Sequence, residues 1–118
     1  MTYALDTNTI SFLLRPGRNQ EVVRQFEQML EQGGNYVIPR VFERLYENSG
    51  TEIHMGEADF LMAAKIKAKL VEQGTTLGDK DADILIAAYC MVNDYILVTD
   101  NVSDFQRING LKYVNWKN

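Results

Sequence analysis

The chain has 118 residues and a mass of 13.5 kDa, so residues 1–118 are expected to form one domain. An apolar fraction of 46%, with six tyrosines, five phenylalanines and one tryptophan, supplies a core and excludes disorder as the main state. No apolar run reaches the roughly 18 residues a membrane span needs, and Met1 to Asp6 offers neither the basic start nor the unbroken apolar stretch of a signal peptide. A cytoplasmic protein with no membrane partner is expected. One cysteine, Cys90, and one histidine, His54, exclude disulfide scaffolds and zinc fingers. The net charge of −4 gives no overall attraction to nucleic acid, so a phosphate contact would need a local basic patch or bound cations.

In chain order, Tyr3-Ala4-Leu5 is a short apolar run that ends at Asp6, and Thr7-Asn8-Thr9 offers capping side chains for a helix through Ile10, Phe12, Leu13 and Leu14. Arg15-Pro16-Gly17-Arg18 is a turn. Val22, Val23, Phe26, Met29 and Leu30 then recur at helical spacing up to Gly33-Gly34. Tyr36-Val37-Ile38 is a second strand stopped by Pro39. Phe42, Leu45 and Tyr46 suggest a short helix, followed by a brief strand at Glu52-Ile53-His54. The longest helix runs from about Glu57 to Gln73, its apolar side marked by Phe60, Leu61, Ala64, Ile66 or Ala68, Leu70 and Val71, with Gly74 at its end. Asp79, Asp81 and Asp83 precede an apolar helix from Ile84 to Val92, which is expected to be buried. Tyr95 to Thr99 is a β-rich run ending at Asp100, Phe105 to Ile108 a helical turn, and Leu111 to Val114 a last strand. Strands alternating with helices predict an α/β/α sandwich around a mostly parallel sheet.

Ligands of open parallel sheets bind at the carboxyl ends of the strands. Two strands here end directly in an aspartate, Asp6 and Asp100, and Asp81 and Asp83 stand where the chain again crosses that edge. Carboxylates held close repel, and protonation or a divalent cation relieves the repulsion. Oxygen ligands of this kind suit Mg²⁺ or Mn²⁺ rather than zinc. Each acid also has a plain structural role open to it. Asp81, Asp83 and Asp104 could start helices, Asp6 could cap one, and Asp100 could belong to a loop. Glu43 and Glu47, and the scattered basic residues such as Lys65, Lys67 and Lys69, read as solvated faces. No dinucleotide, Walker A, H-E-x-x-H or C-x-x-C pattern is present.

Leu5-Asp6-Thr7-Asn8, the run from Asp81 to Ala88, the run from Leu97 to Ile108, and the ending Gly110 to Trp116 resemble the PIN-domain ribonucleases, especially the VapC toxins of bacterial toxin–antitoxin pairs. The resemblance covers nearly the whole chain in order. It implies an α/β/α domain that cleaves RNA with Mg²⁺ or Mn²⁺, forms a homodimer and is controlled by a cognate antitoxin. It implies Asp6, Asp83, Asp100 and Asp104 as metal ligands and catalytic residues, with Asp81 an alternate for Asp83 and with Thr7 or Asn8 orienting ligands or the scissile phosphate. The family's helix glutamate is not matched: ungapped alignment puts Leu45 there, and Glu43 points nearly opposite to Leu45 on a helix. The simplest account is a stretch missing near Pro39 to Val41. That departure opens a second reading, a catalytically inactive, shortened PIN domain that binds an antitoxin or itself. A receiver-like phosphoacceptor would want a lysine directly after its last core strand, where Asn115-Trp116 stands instead.

Overall fold

The computed structural model describes residues 1–14, 19–38, 56–74 and 81–117, with the side chains of Thr7, Asn8, Asp81 and Ala82 outside the description. Among these residues, nine elements follow in chain order: β1 (Thr2–Leu5), α1 (Thr7–Leu14), α2 (Gln20–Glu31), β2 (Asn35–Val37), α3 (Glu57–Glu72), α4 (Asp81–Asn93), β3 (Ile96–Val98), α5 (Val102–Phe105) and β4 (Tyr113–Val114). The helix expected near Phe42 to Tyr46, the strand at Glu52 to His54 and the stretch read as missing near Pro39 all lie outside the described residues.

The four strands form one sheet in the order β2-β1-β3-β4, and every pairing is parallel. Strand side chains alternate between faces, and two cores result. Ala4 and Leu97 belong to one core with Ala63, Ile66 and Leu70 of α3 and Ile84, Ala87, Ala88 and Cys90 of α4. Leu5 and Val98, one residue later, belong to the other, with Ile10 of α1, Val22 and Met29 of α2, and Trp116. Helices on both faces of a parallel sheet make the expected α/β/α sandwich. Trp116 closes the second core with its ring centroid 5.8 Å from Tyr3 and 6.3 Å from Phe26.

Two local expectations are corrected. In α3 the buried stripe is Asp59, Ala63, Ile66 and Leu70, whereas Phe60, Leu61 and Val71 are exposed. Apolar residues occur on several sides of this helix, so spacing alone did not select the face; small Ala63 lies on the side that packs against α4. The capping role expected of Thr9 is also absent. Helix α1 begins at Thr7, its first bond runs from the Ile10 N–H to the Asp6 carbonyl at 3.0 Å, and the Thr9 hydroxyl instead donates to the Val98 carbonyl at 3.0 Å. Asp6 itself therefore holds the N-cap position.

Candidate active site at the carboxyl edge of the sheet

Strands β1, β3 and β4 run side by side and end at one edge. Beyond β1 stands Asp6, whose N–H donates to the Val98 carbonyl at 3.0 Å and so continues the ladder one residue past the strand. That same carbonyl accepts the Thr9 hydroxyl, which ties the start of α1 to the end of β3. Beyond β3 comes Thr99, 1% exposed, its N–H donating to the Val114 carbonyl at 3.0 Å.

Thr99 connects the edge. Its hydroxyl donates to Asp6 Oδ2 at 2.7 Å and accepts the N–H of Asn101 at 3.0 Å. Asn101 Nδ2 donates to Asp104 Oδ2 at 3.0 Å. Asp6 and Asp104 thus lie at the two ends of one hydrogen-bonded chain through a buried hydroxyl and an amide. Asp104 does not start a helix: it lies within α5, whose N-cap is Asn101. The buried Phe105 beside it anchors that short helix in the core of the opposite face. Asp100 is half-buried at the same edge, with Oδ2 4.0 Å from Lys117 Nζ.

Asp83 is half-buried in the first turns of α4. Seven residues bring a helix almost back to the same side, so Asp83 shares a stripe with buried Ala87 and Cys90. The Cys90 thiol is pushed up to about 12, first by burial and then by the Asp6 charge. Because α4 leads back to the start of β3, its first turn lies toward the carboxyl edge.

All the candidate donors are carboxylate oxygens, which is the chemistry a hard divalent cation takes. Among the described residues, no group of three or more His, Cys, Asp or Glu is gathered closely enough to hold a metal ion. Asp81 has its backbone in α4 but its side chain outside the description, as have Thr7 and Asn8, and Glu43 falls outside the described residues altogether. Three participants were not singled out from sequence: Thr99, Asn101 and Lys117. Only the position of Thr99 and Asn101 on either side of an acid after a strand could have drawn attention to them.

No family model matches the chain. Two curated relatives from strains of Haemophilus influenzae, Ribonuclease VapC2 and Ribonuclease VapC, are each 41% identical over 51 residues, 43% of this chain and 37% of theirs. The match therefore spans little more than a third of those relatives' length. A chain of VapBC-1 from nontypeable Haemophilus influenzae superposes with a TM-score of 0.78 at 25% identity over 100% of both chains. A chain of VapBC2 from Rickettsia felis, solved bound to a promoter DNA fragment, gives 0.77 at 19% identity, covering 98% of this chain and 99% of that one. The resemblance to VapC-type PIN domains carried by the sequence motifs is borne out on both counts, over part of the chain by sequence and over its whole length by fold.

Proposed function

We propose that this chain is a metal-dependent endoribonuclease, the toxin of a toxin–antitoxin pair, in which Asp6, Asp83, Asp100 and Asp104, not gathered to metal-binding distance in this structure, draw together around Mg²⁺ or Mn²⁺ for the cleavage of RNA phosphodiester bonds. The observation that carries this reading is the chain Asp6–Thr99–Asn101–Asp104, which ties two acids from distant parts of the sequence together where a parallel sheet binds its ligands. The names of the relatives, ribonucleases and VapBC complexes, support the activity and the antitoxin partner. A homodimer, a single domain and a cytoplasmic location belong to the same reading; no helix among the described residues is long and apolar enough to cross a membrane.

A bound cation would supply the Lewis acidity that activates water and stabilises charge on the phosphoryl oxygens. The chain's own residues fix the acids. The Thr99 hydroxyl, held by the Asn101 N–H, presents its proton to Asp6 Oδ2 and so fixes the direction of that carboxylate. Asn101 does the same for Asp104 through its amide. Buried hydroxyls in fixed networks position charged groups without reorganisation during the reaction.

Side-chain substitution tests the assignment. Asp83→Asn and Asp81→Asn, compared in RNA cleavage with Mg²⁺, are expected to differ, with Asp83→Asn losing activity and Asp81→Asn retaining it; the reverse would transfer the role to Asp81. The second reading, a non-catalytic domain that binds an antitoxin or itself, draws on Leu45 at the position of the family's glutamate. It predicts a folded protein that cuts no RNA with either metal.

A further inference from the structure

The edge that gathers the acids also carries a cation. After β4 the Asn115 side chain accepts the N–H of Lys117 at 2.8 Å, and between them Trp116 is 6% exposed in the core. An anchored ring and a side-chain turn thus fix the direction in which Lys117 leaves the sheet. Its ammonium stands 5.0 Å from the centroid of the Phe12 ring of α1 and 4.0 Å from Asp100 Oδ2. The end of β4 therefore brings a positive charge to the edge where β1 delivers Asp6 and β3 delivers Asp100.

We propose that Lys117 is a phosphate-binding residue of this site, its ammonium leaving Asp100 for a phosphodiester of bound single-stranded RNA. The inference rests on the ribonuclease reading for its ligand. Three features favour an exchangeable ammonium over a structural ion pair. The pair is long, and the two side chains are 50% and 23% exposed, so separating them costs little. The Phe12 face holds the cation in place whether or not Asp100 does. An ammonium is a compact charge with three donors, suited to phosphate oxygens. A protein of net charge −4 also needs a local positive group to meet a polyanion.

The test is binding of a fluorescent single-stranded RNA oligonucleotide, followed by anisotropy in Mg²⁺ at several salt concentrations. Asp6→Asn serves as a cleavage-silent parent, with Lys117→Ala and Lys117→Arg added to it. Thermal unfolding confirms that each variant is folded. Lys117→Ala is expected to weaken binding by up to about fivefold and to reduce the salt dependence by about 0.7 in log–log slope, one phosphate contact on a single strand. Lys117→Arg should restore both. A purely structural lysine would change the melting temperature without moving the slope. Unchanged affinity and slope in Lys117→Ala, or no RNA binding by the parent, would overturn the proposal. The nuclease reading is judged separately by cleavage with the unsubstituted chain: RNA bound through Lys117 but never cut would refute that reading and leave this one standing.

Discussion

Thr99 donates its hydroxyl proton to Asp6 across 2.7 Å and 93 residues of sequence. The contact exists because β1 and β3 are parallel neighbours in register, Leu5 beside Val98, so the residues that follow each strand meet at the same level. Asp6 directly follows β1, and Thr99 is the floor that fixes its carboxylate.

Thr99→Val keeps the shape of that floor and removes its proton. It takes one acceptor from the Asn101 N–H and one donor from Asp6, so a loss of about 1–3 kcal/mol in stability is expected. The cleavage rate should fall further than stability explains, since Asp6 and Asp104 lose their common tether. Denaturant unfolding and RNA cleavage on the same preparation measure both; wild-type values in each would show the hydroxyl to be idle.

Phe105 is 1% exposed and immediately follows Asp104. Phe105→Ala removes the buried side chain of that four-residue helix. A cost of about 3–5 kcal/mol is expected, read as a lower denaturation midpoint at unchanged slope. A shift under about 1 kcal/mol would mean that α5 is held from elsewhere.

Alkaline pH should destabilise the fold. Burial raises the Cys90 thiol from 9.0 to about 12 and the Tyr89 hydroxyl from 10.0 to about 12. Between those limits the unfolded chain releases protons that the native state still holds, so native stability falls as pH rises. The contribution is intact below pH 9 and is lost progressively toward pH 12. Unfolding free energies measured from pH 8 to 11 should decline, and Cys90→Ala should flatten part of the decline. A pH-independent stability would contradict the burial of Cys90 and the partial burial of Tyr89.

The outline of the fold was legible because its signals are local. Apolar runs closed by Asp6, Pro39 and Asp100 mark β1, β2 and β3, and the spacing from Val22 to Leu30 marks α2. The face of α3 was not legible, since Phe60, Leu61 and Val71 compete with Ala63, Ile66 and Leu70 for the core and only the approach of α4 decides between them. At the site, an acid at the end of a strand is visible in sequence: Asp6 directly follows β1, whereas Asp100 stands two residues past β3, with Thr99 between. Thr99 and Asn101 carry no such mark. Their meaning comes from strand register and a loop geometry that brings Asp104 back toward β1. Lys117 depends on the turn after β4 and on Phe12 of a different layer.

The most direct test of the central claim is cleavage of a mixed pool of structured RNAs by the purified chain with Mg²⁺ or Mn²⁺, alongside EDTA and Asp6→Asn. The account predicts cutting that needs the metal and disappears in Asp6→Asn while that variant keeps its fold. Cutting that survives EDTA or the loss of Asp6, or no cutting by a folded chain with either metal, would contradict it.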